Sequence, residues 1–266
     1  MNLKELKVLV RGAGEMASGV GLSLNHAHFQ VVFTEIETPL CIRRGVSFCE
    51  VLYQGRMIVE DGEAVRAEDP DQVLKAWSAG KMAVLIDPDL DCLPRLEPQV
   101  VVDAILAKKN LGLTMNLADL VIALGPGFTA GRDAHVVVET NRGHNLGRLI
   151  YQGQAEPDTG VPGDIAGETG RRVLRAPAEG GLETDREIGD RVRAGEIVAW
   201  VAGRPVRSEL EGVLRGLIRP GTLVRSGLKI GDVDPRGRRE FCWTVSDKAR
   251  AVGGAVLEAI LRRFNQ

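Results

Sequence analysis

The chain has 266 residues, of which 44% are hydrophobic, and its formal net charge at pH 7 is −2. This length and hydrophobic content support one large domain or two modest ones, and the small charge gives no electrostatic reason to expect nucleic acid or an anionic membrane as a partner. No apolar run approaches the roughly 20 residues that span a bilayer, and no signal-peptide h-region is present, so we expect a soluble, cytoplasmic protein.

The chain opens with KELKVLVRGAGEMASGV, an apolar run that leads into a glycine turn and then a helical pattern. Gly12, Gly14 and Ala17 match the G-x-G-x-x-[G/A] fingerprint, in which a pyrophosphate approaches the first amides of a helix. The candidate cofactor-binding residues of this turn are Gly12, Gly14, Glu15, Ala17 and Glu35. Glu35, which closes QVVFTE, stands where the fingerprint expects an acid for a ribose hydroxyl. These features predict a Rossmann-type turn that binds a phosphate-bearing ligand, and the alternative is that the turn is only a tight corner.

Four later apolar runs have the length and β-branching of buried parallel strands: MAVLID, QVVVDA, ADLVIAL and HVVVET. Helix-length segments lie between the strands, so the first 150 residues predict a Rossmann-like, doubly wound parallel sheet of α/β class. Residues 53–67 contain an Asp61-Gly62 turn between alternating stretches, which predicts a β-hairpin appended to the sheet.

Two of these strands end in glycine-rich or polar sequence, GPGFTAGRDAH and TNRGHNLGR. Parallel strands end at one edge of a sheet, so we expect both segments to converge with the first turn on one ligand crevice. The alternative is that the arginines pair with surface carboxylates and the glycines only form corners. The candidate cofactor-binding residues in these two segments are Gly125, Gly127, Thr129, Asn141, Arg142 and His144.

The cysteines do not form a zinc-binding pattern. Cys41, Cys49, Cys92 and Cys242 are scattered, so no metal site is predicted and reduced thiols are expected. Cys41 and Cys49 flank a segment with two arginines that could lower a thiol pKa, so a role in handling sulfur or selenium stays open for either thiol.

Between residues 173 and 235 the sequence pattern changes to short predicted strands that are separated by glycines. A loose repeat that starts at Gly189 and again at Arg219 resembles the barrel-sandwich hybrid of biotinyl and lipoyl carrier domains. Its midpoint, VAGRPV, holds Arg204 and no lysine, so no covalent biotin or lipoate is expected. A capping residue at Ser246 followed by amphipathic spacing predicts a terminal helix as far as Phe264. The predicted organisation is a Rossmann-like domain at 1–152, a linker or lid at 153–172, a barrel-sandwich-hybrid-like domain at 173–236, and a C-terminal helix at 237–266 that packs on the first domain.

Five stretches carry a family resemblance: VRGAGEMASGV, RRGVSFCEVLY, ALGPGFTAGRDAHVVVETNRGHNLGR, TGVPGDIAGET and VLRAPAEG. In this order they resemble the YqeB-type proteins of selenium-dependent molybdenum hydroxylase systems. The Rossmann part of that family is similar to the XdhC/CoxI maturation factors, which are associated with binding molybdenum cofactor and assisting its terminal sulfuration. The resemblance implies an accessory factor that binds molybdenum cofactor or an NAD(P)-type dinucleotide and whose partner is a xanthine dehydrogenase-type molybdenum hydroxylase.

Two other functions are compatible with the same residues. The glycine fingerprint and Glu35 also suit an NAD(P)-dependent oxidoreductase, and the second domain suits a non-catalytic protein that docks the hydroxylase. Whether the chain is an enzyme and whether it forms a homo-oligomer stay open at this point.

Overall fold

The computed structural model describes residues 3–265, which divide into two compact units. The first unit takes in the described residues up to Pro39, then Ser47–Thr159, and then the described residues from Val245 onward. The second unit consists of Leu40–Val46 and Gly160–Thr244. No helix among residues 3–265 combines the length and the apolar character needed to cross a membrane.

A nine-stranded mixed sheet forms the first unit, with strands in the order β10-β9-β7-β6-β1-β2-β5-β4-β3. A separate two-stranded sheet pairs β8 with β11. The strands are β1 (Lys7–Arg11), β2 (Gln30–Glu35), β3 (Arg56–Val59), β4 (Gly62–Ala67), β5 (Met82–Ile86), β6 (Val100–Asp103), β7 (Leu120–Leu124), β8 (Thr129–Ala130), β9 (Val136–Val138), β10 (Leu149–Ile150) and β11 (Gly153–Gln154).

Five α-helices belong to the same unit, and two of them are single turns. They are α1 (Glu15–His26), α2 (Val51–Gln54), α3 (Pro70–Ser78), α4 (Leu93–Leu96) and α5 (Asp247–Phe264). Ser246 caps α5 as predicted, because its hydroxyl accepts a hydrogen bond from the Ala249 amide at 3.2 Å. The hairpin predicted around Asp61-Gly62 is confirmed as β3 and β4, which pair antiparallel.

The predicted fold class is wrong. A doubly wound parallel sheet requires parallel strands linked by helices, whereas this sheet is mixed, with antiparallel pairs β3–β4 and β9–β10 at its two ends. Between β6 and β7 lies only a 3-10 turn, Met115–Leu117, and between β7 and β9 only the short strand β8. Instead of a local crossover helix, α5 packs against β7 and β9 from the far end of the chain.

The apolar runs form strands because the centre of the sheet is covered on both faces. Val8, Leu9 and Val10 of β1 are each fully buried. Strands β1, β2, β5, β6 and β7 run parallel, so their carboxyl ends lie along one edge of the sheet. Along this edge the end of β1 lies between the ends of β2 and β6.

Helices α1 and α5 cross at a point where only small residues fit. A Cβ built on Gly19 would lie 2.8 Å from the Ala249 carbonyl oxygen, and one built on Gly253 would lie 2.6 Å from the Gly19 carbonyl oxygen. On its other side α1 packs against β2, where a Cβ at Gly21 would lie 2.2 Å from the Phe33 ring. Small residues therefore set the position of α1, and with it the position of the glycine turn that precedes it.

Two four-stranded antiparallel sheets form the second unit, in the orders β12-β19-β17-β14 and β16-β15-β13-β18. The fold-class prediction of a carrier-like barrel-sandwich hybrid is corrected to this description, since a loose sequence repeat does not specify which sheet each strand joins. The strands are β12 (Val173–Arg175), β13 (Gly180–Glu183), β14 (Arg191–Val192), β15 (Ile197–Val201), β16 (Arg204–Arg207), β17 (Gly212–Leu217), β18 (Leu223–Val224) and β19 (Lys229–Asp234).

Charges buried in the second unit are paired. Arg172 forms an ion pair with Asp232, and both side chains are at most 7% exposed. Asp234 contacts Arg236 at 2.7 Å and Arg215 at 3.4 Å. Burial alone would raise the pKa of Asp234, but the bonds and charges of its arginine partners bring that pKa below its ordinary value. These pairs satisfy buried charges, as a stable core requires.

Candidate functional site

The turn after β1 requires glycine at position 12. Gly12 has a φ of +93°, in the left-handed region that other residues rarely adopt. A Cβ there would lie 3.3 Å from the Ala104 carbonyl oxygen at the end of β6, and the Gly12 amide donates to Thr34 O at 2.7 Å. Position 12 is therefore fixed by the packing of three neighbouring strand ends.

Gly14 is the N-cap of α1, and its environment is different. Its φ is −71°, it has no side chain with which to cap the helix, and a Cβ built on Gly14 would meet nothing within 4 Å. The first N–H groups of a helix have no intrahelical partner, and the helix dipole favours an anion beside them. Glu15 begins the helix, and Ala17 is fully buried against the fold. The start of α1 thus offers open space at the position of Gly14.

Glu35 contacts the same turn from the end of β2. Its Oε2 accepts from the Ala13 amide at 2.9 Å and its Oε1 from the Ile36 amide at 2.9 Å. Burial raises the pKa of Glu35, and these two hydrogen bonds only partly oppose the shift. The predicted fingerprint acid therefore does lie at the glycine turn, where it holds one of the turn amides.

Phe48 and Cys49, in the middle of the stretch RRGVSFCEVLY, hold the turn and the first part of α1 through backbone hydrogen bonds. The Ala13 carbonyl accepts from the Cys49 amide at 2.9 Å and from the Ser18 hydroxyl at 3.2 Å. The same Ser18 hydroxyl accepts from the Phe48 amide at 2.8 Å. Cys49 is fully buried, whereas a reactive thiol needs solvent access, so its position fits a structural role better than sulfur transfer.

Sequence reasoning missed an ion pair beside the turn, formed by Arg11 and Asp103. The Arg11 Nη1 lies 3.3 Å from Asp103 Oδ2, and the guanidinium also donates to the carbonyls of Leu111 and Pro88. Burial raises the pKa of Asp103, and the Ile105 amide and the Arg11 charge oppose the shift. The two residues are register partners on β1 and β6, and no local sequence signal reports strand register.

Packing accounts for both glycines that follow β7. Gly125 and Gly127 have φ angles of +78° and +102°. A Cβ at Gly125 would lie 2.5 Å from the Thr140 hydroxyl oxygen, and one at Gly127 would lie 2.5 Å from the Lys109 amide nitrogen. Thr129 starts β8, and its hydroxyl accepts from the Gln154 side chain at 2.9 Å. Each of these three candidates has an internal contact that explains it without a ligand.

Two polar side chains of the loop after β9 form hydrogen bonds or ion pairs with carboxylates of the same unit. The Asn141 side chain donates to Glu156 at 2.6 Å, and Arg142 forms a two-pronged ion pair with Asp247 at the start of α5. His144 is exposed. For Arg142 the arrangement matches the alternative in which an arginine pairs with a surface carboxylate. Across residues 3–265, no group of three or more His, Cys, Asp or Glu residues is placed to hold a metal ion.

Comparison with known proteins gives one curated relative. No family model matches the chain. The chain is 48% identical over 259 residues to "Uncharacterized protein YqeB" of Escherichia coli (strain K12). The resemblance to YqeB is confirmed. The alignment covers 97% of this chain and 48% of YqeB, so the chain spans about half the length of the relative it matches.

Three of the similar solved structures each align with 86% of this chain. The product-bound ectoine utilization protein EutE (DoeB) from Ruegeria pomeroyi is 12% identical, with 85% of that chain covered and a TM-score of 0.25. An aspartoacylase family protein from Mesorhizobium loti is 13% identical, with 84% covered and a TM-score of 0.26. A succinylglutamatedesuccinylase/aspartoacylase from Rhodobacter sphaeroides is 12% identical, with 85% covered and a TM-score of 0.27.

Proposed function

We propose that this chain is an accessory factor for a selenium-dependent molybdenum hydroxylase and that it binds a phosphate-bearing ligand at the turn Gly12–Gly14. The observation that carries the binding proposal is the open space at Gly14, the N-cap of α1, where a Cβ would meet nothing within 4 Å. The choice of partner comes from the selenium-dependent molybdenum hydroxylase systems that the sequence motifs resemble, and the identity to YqeB supports only the YqeB-type part of that resemblance. The similarity to XdhC-type maturation factors is part of the same proposal.

Molybdenum cofactor would bind this turn through its phosphate-bearing end. The amides at the start of α1 would hold the phosphate, because Gly14 has no side chain to obstruct its approach. When bound to the hydroxylase, the cofactor supplies the metal redox chemistry, and this chain would only bind, orient and deliver it. A nucleotide presents the same phosphate chemistry and fits the turn equally well.

Glu35 would act on this ligand through the turn. As an ionised carboxylate it fixes the Ala13 amide and places a negative charge beside the phosphate position. Its raised pKa means that it takes up a proton more readily than an ordinary glutamate, which would relieve the repulsion. Glu35 is therefore proposed as a residue that sets the strength of phosphate binding.

Gene deletion in a host with a selenium-dependent hydroxylase tests the proposal. We expect the hydroxylase to lose activity and to contain less molybdenum or selenium. The wild-type gene should restore both, Gly14→Val should not, and Gly254→Ala, a substitution in open space on α5, should restore them fully. Full hydroxylase activity with normal molybdenum and selenium in the deletion strain would refute the accessory role.

A second candidate function, an NAD(P)-dependent oxidoreductase, is favoured by the position of Glu35 at the end of β2. A carboxylate there can accept a hydrogen bond from a ribose hydroxyl. The purified chain would then oxidise reduced nicotinamide in the presence of a carbonyl substrate. Binding of the nucleotide without any turnover would favour the accessory role instead.

A further inference from the structure

The second unit exposes a tryptophan whose ring is fixed in place. Trp243 follows the 3-10 turn Arg239–Cys242 and is 50% exposed. A Cβ built on Gly45 would lie 2.7 Å from Cε3 of the indole, and one built on Gly189 would lie 3.6 Å from its Cζ2. One side of the ring therefore packs on two glycines, where the first position has no room for a side chain.

Buried arginines hold the backbone around this tryptophan. Arg43 donates through Nη2 to the Phe241 carbonyl at 2.9 Å and to the Thr244 carbonyl at 3.4 Å. Arg215 donates to the same Phe241 carbonyl at 3.4 Å. Both arginines are at most 7% exposed. Trp243 is thus presented to solvent in an ordered position, so it would lose little conformational freedom when a partner covers it.

The guanidinium of Arg239 lies beside the same ring. A Cβ at Gly189, which would be 3.6 Å from the Trp243 ring, would also be 3.5 Å from Nη2 of Arg239, so the cation and the ring belong to one surface. Arg239 is exposed, and within residues 3–265 no carboxylate forms an ion pair with it. Its neighbours Arg236 and Arg238, in contrast, have carboxylate partners. We call Trp243 and Arg239 the Trp–Arg surface.

The charge of the second unit indicates which partner fits this surface. Residues 40–46 and 160–244 contain 17 lysines and arginines against 13 aspartates and glutamates, whereas the rest of the chain contains 17 against 23. A complementary partner is therefore acidic. Tryptophan and arginine are also the side chains that most often dominate the energy of protein–protein interfaces. A nucleic acid fits less well, because it requires a row of cations along its backbone and the acidic first unit would repel it.

We propose that the Trp–Arg surface binds an acidic segment of a partner protein. An apolar side chain of that segment would cover the indole of Trp243, and a carboxylate would pair with the guanidinium of Arg239. This inference rests on the proposed function, in which the partner is the molybdenum hydroxylase, and it adds the surface on which that enzyme docks. Neither residue was a candidate in the sequence analysis.

Binding of the full chain to the purified hydroxylase, measured by surface plasmon resonance, tests the proposal. The variants are Trp243→Ala and Arg239→Glu. The matched controls are Leu223→Ala and Arg204→Glu, which alter an exposed apolar residue and an exposed cation on β18 and β16 of the same unit. We expect Trp243→Ala to weaken binding about 30-fold and Arg239→Glu about tenfold, with changes below about twofold in the controls. Raising the salt concentration from about 50 to about 300 mM should weaken wild-type binding more than binding of Arg239→Glu.

The outcomes separate this inference from the proposed function. Because Arg239 is exposed, Arg239→Glu should fold normally, and it decides the result if thermal unfolding shows that Trp243→Ala is unstable. Equal hydroxylase binding by the wild type and Arg239→Glu, or no binding by the wild type, would overturn the docking surface, and gene deletion would still decide the accessory role by itself.

Two other occupants of the Trp–Arg surface would also overturn the inference. The first is nucleic acid, shown by a duplex oligonucleotide that binds the wild type but not Arg239→Glu and that displaces the hydroxylase. The second is another copy of this chain, shown by a wild-type dimer that Trp243→Ala converts to a monomer in sedimentation experiments.

Discussion

Two glycines of one turn have different reasons for being glycine. Gly12 combines a positive φ with a close approach to the Ala104 carbonyl, whereas Gly14 has an ordinary φ and open space around it. The first position is required by the fold, and the second is available to a ligand. A fingerprint match treats both positions alike, and only the three-dimensional contacts distinguish them.

Substitution at the two positions should therefore affect stability differently. We expect Gly12→Ala to lower the free energy of unfolding by about 1–3 kcal/mol, because alanine would have to adopt a strained backbone conformation. Gly14→Ser should leave stability unchanged or raise it by a few tenths of a kcal/mol, since serine is the better N-cap residue. Urea unfolding of the two variants measures the difference. An equal loss of stability in both would contradict the assignment of Gly14 as a position free of packing constraints.

The charge of Glu35 should set the pH dependence of pyrophosphate binding. Because its pKa is raised, the folded protein binds a proton at Glu35 more readily than the unfolded chain does. The stability that this proton contributes is present below the ordinary glutamate pKa and is lost as pH rises through the raised pKa. Neutral Glu35 also removes the repulsion of a phosphate. We expect Glu35→Gln to bind pyrophosphate more tightly than the wild type at pH 7. The difference should shrink as pH falls through the raised pKa of Glu35. Weaker binding by Glu35→Gln across the whole pH range would show that the carboxylate assists the ligand instead.

At the scale of the elements, sequence pattern predicted most strands and the terminal helix. Strands β5, β6, β7 and β9 were predicted because buried parallel strands are continuous apolar runs, and α5 because Ser246 begins an amphipathic period. A helix was wrongly expected between β6 and β7, whereas the glycine turn expected after β7 is present. Gly112, in the connection between β6 and β7, has a positive φ, which disfavours a helix, and α5 covers β7 and β9 instead. No local sequence pattern near β7 or β9 indicates that a helix from the end of the chain covers them.

Adjacent glycines on α5 provide a test of the crossing between α1 and α5. A Cβ on Gly253 would lie 2.4 Å from the Ser23 hydroxyl and 2.6 Å from the Gly19 carbonyl, whereas one on Gly254 would meet nothing within 4 Å. We expect Gly253→Val to cost about 1–3 kcal/mol through overpacking, and Gly254→Ala to stabilise the helix by about 1 kcal/mol. Thermal unfolding of both variants measures the effects. If Gly253→Val proved as stable as the wild type, the close approach of the two helices would be wrong.

At the scale of the whole molecule, the candidate site depends on residues that are distant in sequence. The pairs Arg11–Asp103 and Arg142–Asp247 join residues 92 and 105 positions apart. Sequence analysis identified Gly12, Gly14 and Glu35 because a spacing rule links them, and it missed the Arg11–Asp103 pair because strand register leaves no local signal. The predicted convergence of the loop after β9 on a ligand stays a prediction, although its side chains have protein partners in this structure.

The central claim is that the start of α1 binds a phosphate group. Amide nuclear magnetic resonance of the ¹⁵N-labelled chain, with stepwise addition of ADP and pyrophosphate, tests it most directly. We expect the largest and saturable shifts at the amides of Gly14, Glu15, Met16 and Ala17 for both ligands, and their loss in Gly14→Val with the remaining spectrum intact. No saturable shifts at these four amides, or shifts centred on another part of the chain, would contradict the claim.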